Sequence, residues 1–227
     1  MLRAQIRDKR FGDREVLRDV AFDLAEGSFT VLTGRSGCGK TTLLRILAGL
    51  DSDWDGTLSG VARLGYVFQD PRLLPWRSAL DNVRLATGEK KGNSPRALAA
   101  LAQVGLAGRE ADFPGALSMG MARRVALARA TAIEPELLLM DEPFVSLDEA
   151  TAEQLRALTL TLWQEHRRTV LMVTHNLAEA AHMADRILVL GGAPAGIVAT
   201  IDCDRPRDAR NQGWVADMVN RLQTAVG

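Results

Sequence analysis

The chain has 227 residues, enough for one large domain or for a core with a subdomain. It is 47% hydrophobic and 25% charged, the balance of a globular protein with a sizeable core, which excludes bulk disorder. Lys plus Arg equals Asp plus Glu at 28 each, so no net basic charge announces nucleic acid; the two cysteines, Cys38 and Cys203, are too few for a disulfide framework and fit a reducing compartment.

The first residues, MLRAQIRDKRFGDREV, hold no apolar stretch of the kind a signal peptide carries. VLRDVAFDL (16–24), a turn at AEG and SFTVLTG (28–34) read as strand, turn, strand. Residues 40–50 read as a helix, with leucine or isoleucine at 43, 44, 46, 47 and 50. DSDWDG is a turn and LGYVFQ (64–69) a strand, after which Pro71 and Pro75 break the pattern. From about 77 to 130 the strand signal vanishes and SALDNVRLAT, PRALAALAQVGL and MARRVALARATA carry helical periodicity, which predicts a helical insert. Strand and helix then alternate through ELLLMD, EATAEQLRALTLTLWQEH, TVLMVTH, NLAEAAHMA and RILVLGG. GIVATI adds a short strand and 212–225 a last helix. Near-continuous apolar strands separated by helices predict a parallel sheet covered on both faces. The longest apolar runs, such as LLLM and ILVL, are far too short to span a bilayer, so a cytosolic chain is expected that meets a membrane only through a partner.

GRSGCGKTT (34–42) stands between the apolar runs SFTVLT and LLRILAGL and fits G-x-x-x-x-G-K-[ST], the P-loop. The residue types match the chemistry. Glycines let successive N–H groups point at phosphate oxygens, and the following helix N-terminus favours an anion. Lys40 is placed to reach the β- and γ-phosphates of a nucleotide, and the Thr41 hydroxyl to ligate Mg²⁺. The second half of such a site is an acidic strand end, and LLLMDE (137–142) supplies it. Asp141 falls at the C-terminal end of a buried strand, where ligands sit in open α/β sheets, as a holder of Mg²⁺. Glu142 follows it.

The ordered motifs resemble those of the nucleotide-binding subunits of ATP-binding cassette (ABC) transporters over nearly the whole chain. LSMGM (117–121), followed by ARRVALARA, resembles the signature LSGGQ; Phe68-Gln69-Asp70 resembles the Q-loop; VSLD (145–148) resembles the D-loop; VTH, ending at His175, resembles the switch histidine; and Phe11 sits where the family places an aromatic on the adenine. The fold implied is α/β: a P-loop NTPase parallel-sheet core with an N-terminal antiparallel β region and a helical subdomain insert. One domain is expected over 1–227, with the core in 1–70 and 131–227 and the insert, carrying the signature, in about 71–130.

The resemblance implies two copies packed head to tail around two ATP molecules. ATP would be held by Phe11, by the loop residues Gly34, Arg35, Ser36, Gly37, Cys38, Gly39, Lys40, Thr41 and Thr42, by Ser118 and Gly120 of the other copy, and by Asp148. Glu142 would polarise the attacking water, His175 would contact the γ-phosphate, and Gln69 would approach Mg²⁺ and the water together with Thr41 and Asp141. Two signature positions depart from the family, Met119 for the first glycine and Met121 for the glutamine, which bears on how tightly the dimer closes. Cys38 is read as a filler of the loop, His166 and His182 as surface or structural histidines, and Arg123-Arg124 as helix surface.

FQDPRLLPWRSALDNV (68–83) and DCDRPRD (202–208) resemble elements of importers for nitrate, sulfonates, taurine and related solutes. Expected partners are transmembrane permease subunits, docked on the Q-loop and helical-insert groove shaped by Pro71, Pro75 and Trp76, and indirectly a solute-binding protein. Nucleic acid is not among them. The expected location is the cytoplasmic face of the cell membrane, peripheral through the permease. The chain ends about 85 residues after Glu142, so no appended regulatory domain is expected. A lipid or lipoprotein exporter subunit and a non-transport P-loop ATPase are the competing readings.

Overall fold

A computed structural model describes residues 2–60 and 63–226. In chain order the elements are β1 Leu2–Phe11, β2 Arg14–Leu24, β3 Phe29–Gly34, α1 Lys40–Leu47, β4 Asp55–Ser59, β5 Leu64–Val67, α2 Ala79–Thr87, α3 Pro95–Gln103, α4 Met119–Thr131, β6 Leu137–Asp141, α5 Glu149–His166, β7 Thr169–Val173, α6 Leu177–Met183, β8 Arg186–Gly192, β9 Ala195–Asp202 and α7 Gln212–Val226. They fall into two compact units, Met1–Ala62 with Thr169–Gly227, and Arg63–Arg168. Among the described residues no helix is long and apolar enough to cross a membrane.

In the first unit the strands lie in the order β4-β1-β2-β9-β8-β3-β7. β1 and β2 form an antiparallel hairpin that closes at the pair Phe11↔Arg14, and β4 adds antiparallel to the other edge of β1. β1 alternates: Leu2, Ala4 and Ile6 are buried between exposed Arg3, Gln5 and Arg7, so one face of the hairpin is wet. The strand β3 is different, with all six residues buried. It runs parallel to β7 on one side and β8 on the other, with Leu32↔Val173 and Gly34↔Leu190 in register. Full burial on both faces is what its continuous apolar run requires. β8 then turns back antiparallel into β9. α6 packs against β3 and α7.

In the second unit β5 and β6 pair in parallel, Leu64↔Leu137 to Val67↔Met140. The helices α2, α3 and α4 pack on one another, and α4 also packs against β5 and α5. Small side chains at the packed faces favour close approach: Ala97 and Ala100 of α3 and Ala126 and Ala128 of α4 are buried, beside the larger Leu101 and Val125. α2 starts at Ser78, whose hydroxyl accepts from the Asp81 N–H at 3.2 Å, and stops at left-handed Gly88. The loop before it is organised by Asn82, only 1% exposed. Its amide accepts from the Leu74 N–H at 2.8 Å and donates to the Leu74, Arg77 and Ser78 carbonyls. The described strands and helices thus form the α/β P-loop fold that the sequence predicts.

Candidate functional site

The loop 35–39 leaves the C-terminal end of β3 and enters α1 directly. Two of its glycines are dictated by space. A Cβ on Gly34 would lie 2.3 Å from the Leu190 carbonyl oxygen, and one on Gly39, at φ 108°, 2.8 Å from the Leu17 side chain. Gly39 also caps α1, so the first N–H groups of that helix have no side-chain cap and face the loop. Lys40 is 5% exposed, and its ammonium donates to the carbonyls of Gly34 and Arg35, each at 2.9 Å. The loop thus curls around its own lysine, while Arg35, Ser36, Gly37 and Thr41 are exposed and Cys38 and Thr42 half-buried. This is an anion cradle: backbone N–H groups, a helix dipole and a fixed cation at one point.

Its neighbour β7 ends one residue before Thr174, whose N–H donates to the Leu32 carbonyl at 3.2 Å. The exposed His175 therefore stands just past the end of the strand that pairs with β3, on the same edge as the cradle. Its loop is braced on both sides. The Thr174 hydroxyl donates to Glu179 at 2.7 Å and accepts from the Asn176 N–H, and Asn176 caps α6 through the N–H groups of Ala178 and Glu179.

Phe11 closes β1 and is 55% exposed, so it is not a core residue. Beneath it lies Lys9, 1% exposed, with its ammonium 4.5 Å from the ring centroid, 2.9 Å from Asp51 and 2.6 Å from the Asp53 carbonyl. Nothing in the sequence pattern singled out Lys9; a lysine among DKR reads as solvated.

In the second unit Asp141, 4% exposed, ends β6, and Gln69, exposed, follows β5 by two residues. With Val67↔Met140 in register, Gln69 and the pair Asp141-Glu142 leave the same edge of that parallel pair. Glu142 has φ 44° and Ser146 φ 61°, left-handed values that non-glycine residues adopt at a cost of order 1–3 kcal/mol. The turn between them is closed by the Val145 N–H on the Glu142 carbonyl at 3.3 Å.

Ser118 is the N-cap of α4, its hydroxyl accepting from the Met121 N–H at 3.2 Å, so the helix begins two residues before the periodicity indicates. Met119 is 53% exposed, whereas Gly120 faces α5: a Cβ there would lie 2.6 Å from Cγ2 of Thr151. Asp148 caps α5, its carboxylate accepting from the Thr151 N–H at 3.0 Å. The hydrogen bond to the Thr151 side chain, then that to its N–H, holds the Asp148 carboxyl below the usual range.

Arg123 corrects an expectation. It is not helix surface but 6% exposed, donating from its two terminal nitrogens to the carbonyls of Pro143 at 2.9 Å and Val145 at 2.7 Å. α4 is buried on nearly every side from Val125 to Ala128, so no polar face exists here for an arginine to occupy. Arg124 instead reaches the Val104 carbonyl and Gln154. His166 and His182 are exposed, and Trp76 is 69% exposed.

The family model described as ABC transporter matches residues 17–145. The aliphatic sulfonates import ATP-binding protein SsuB 2 of Streptomyces avermitilis is 49% identical over 228 residues, covering 100% of this chain and 90% of that protein. SsuB of Pseudomonas putida is 44% identical over 231 residues, covering 96% of this chain and 84% of that one. Among solved structures, the dimeric post-hydrolysis state of the ATP-binding cassette MJ0796 bound to ADP and Pi has a TM-score of 0.78 at 29% identity, over 91% of this chain and all of that one. A second dimeric structure of MJ0796 gives a TM-score of 0.77. With the model matching more than half of its length and these relatives matching it end to end, the chain belongs to the ABC transporter family, as one of its ATP-binding members.

Proposed function

We infer that this chain is the ATP-hydrolysing subunit of a bacterial importer that takes up aliphatic sulfonates. The observation that supports the reading is the likeness to SsuB proteins over nearly the whole chain, including the segment 68–83 that resembles that of importers for nitrate, sulfonates, taurine and related small solutes.

The residues fit a nucleoside triphosphate. Lys40 is buried, its ammonium set by the carbonyls of its own loop, and the main-chain N–H groups of the loop and of the helix N-terminus beside it suit phosphate oxygens. Thr41, Thr42, Arg35, Ser36, Gly37 and Cys38 line the cradle with Gly34 and Gly39, and Phe11 offers its ring to the base. Mg²⁺ would be held by hard oxygen donors of the kind it takes, the Thr41 hydroxyl, Gln69 and Asp141, together with the phosphates. When bound, Mg²⁺ neutralises developing charge on the phosphates.

The chain's own residues do the rest. Glu142 takes a proton from the attacking water as general base, Gln69 orients that water, and His175 donates to the γ-phosphate. Ser118 and Gly120 close the site on the partner copy's nucleotide, with Asp148 at the same seam. ATP then favours the closed dimer because only that state makes both sets of contacts. Loss of the γ-phosphate removes them and lets the dimer open. Residues about 71–130 act as the helical subdomain against which the permease docks, on the cytoplasmic face of the membrane, and a solute-binding protein delivers the sulfonate to that permease.

Deletion of the gene in its own host tests the reading. Growth on an alkanesulfonate as sole sulfur source should stop while growth on sulfate continues. The wild-type chain should restore it and Lys40→Ala should not. Undiminished growth on a range of alkanesulfonates would overturn the solute assignment.

A further inference from the structure

Arg123 is a large cation withdrawn from water without a carboxylate in hydrogen-bond contact. Its two terminal nitrogens meet main-chain oxygens, and its Nε is buried with no hydrogen-bond partner. Burial lowers its pKa, with the charge of Asp70 acting the other way. A buried donor left unsatisfied is costly and calls for a reason.

The reason lies in what the guanidinium holds. The two carbonyls, of Pro143 and Val145, lie inside the turn bounded by left-handed Glu142 and Ser146. A turn with two non-glycine residues in that region persists only where surrounding structure over-determines it. The planar fork of Arg123 supplies that constraint, because two donors in fixed geometry define both the position and the tilt of the 143–145 segment. The helix that carries Arg123 is capped by Ser118, five residues earlier in the chain.

We propose that Arg123 is a positioning residue for hydrolysis: it holds the turn that aims Glu142 and ties the direction of that carboxylate to the helix headed by Ser118. The proposal rests on the reading of Glu142 as general base. A shift of the Glu142 carboxylate by about an ångström lowers the rate by about 100-fold while leaving ATP affinity alone.

The test uses the full chain with Mg-ATP and compares Arg123→Met, Arg123→Lys and Glu142→Gln. Arg123→Met keeps an unbranched apolar stem and removes both donors. It should lower kcat by about 10- to 100-fold with the Kd for ATP unchanged within about twofold. Arg123→Lys keeps one charged donor at a time and should recover part of kcat. Placed in the Glu142→Gln background, Arg123→Met should still dimerise with ATP, which a mere folding defect would prevent. Should Arg123→Met fold poorly, Arg123→Lys carries the same split between kcat and Kd. A kcat at the wild-type level in both variants, with Glu142→Gln inactive, overturns the proposal alone. An active Glu142→Gln overturns the reading on which it stands.

Discussion

The ammonium of Lys9 lies 4.5 Å from the centroid of the Phe11 ring, and the two residues divide the environment between them: Lys9 is 1% exposed and Phe11 55%. Asp51 and the Asp53 carbonyl fix the cation, and both lie in the loop that follows α1. One face of the ring is thus covered by a held charge, and the side chain still opens to solvent. In the proposed function this ring stacks on the base, and base–aromatic stacking is worth about 1–3 kcal/mol. Phe11→Ala should therefore weaken ATP binding by roughly 5- to 150-fold, Phe11→Tyr should not, and inorganic triphosphate should bind all three alike. Titration calorimetry reads the difference.

The contact of Gly120 with Thr151 gives a second expectation. A methyl at 120 would lie 2.6 Å from Cγ2 of Thr151, so Gly120→Ala must turn that side chain aside or shift α4 against α5. Overpacking of this kind costs about 1–3 kcal/mol. Thermal unfolding should show the loss, and Thr151→Ser, which removes the clashing methyl, should restore most of it in the double variant.

Met119 should behave in the opposite way. It is half-exposed at the first position of α4 and fills no enclosed space. Met119→Gly is expected to change the ATPase rate by less than about tenfold, about 1.4 kcal/mol in barrier height. A steady-state ATPase assay checks this.

How much of this was legible beforehand depends on how many signals coincided. β3, the cradle and α1 were readable because an apolar run, a spaced glycine pattern and a helical period meet within residues 28–50. α5 and β8 were readable to the residue, the first between Asp148 and left-handed Arg167, the second as an unbroken apolar run. β1 was not singled out, since its core face is only Leu2, Ala4 and Ile6 set among charges. β4 escaped for a related reason: it is a five-residue edge strand, DGTLS, that alternates only between exposed and half-buried and holds a single large apolar residue. Arg123 was misplaced because a charged pair in a helix normally marks a wet face, and only the burial of the neighbouring VALA segment reveals that this helix has almost none. The exposed residues Gln69, Ser118 and His175 are proposed for the site on motif alone, because nothing in periodicity distinguishes them from loop.

Lys40 ties the loop together through the carbonyls of Gly34 and Arg35. Lys40→Ala removes a charge whose hydrogen bonds to phosphate are worth about 1.5–3 kcal/mol each, so ATP affinity should fall by about 10- to 100-fold. Binding of ATP and of inorganic triphosphate should fall together, which separates this loss from that of Phe11→Ala.

The carboxyl of Asp148 titrates below its ordinary value because it accepts hydrogen bonds from the Thr151 side chain and N–H. In the unfolded chain it takes up its proton near pH 4. Its contribution to stability is therefore complete above that pH and is lost as pH falls through the lower, folded value. Melting temperatures of the wild type and Asp148→Ala should differ most near neutrality and converge as the pH drops below about 4.

The central claim is that LSMGM of one copy completes the ATP site built on GRSGCGKTT of another. Sizing of purified Glu142→Gln, with and without Mg-ATP, tests it most directly. The account expects a monomer without nucleotide and a dimer with it, in the absence of the permease. A chain that binds ATP and stays monomeric at saturation would contradict it.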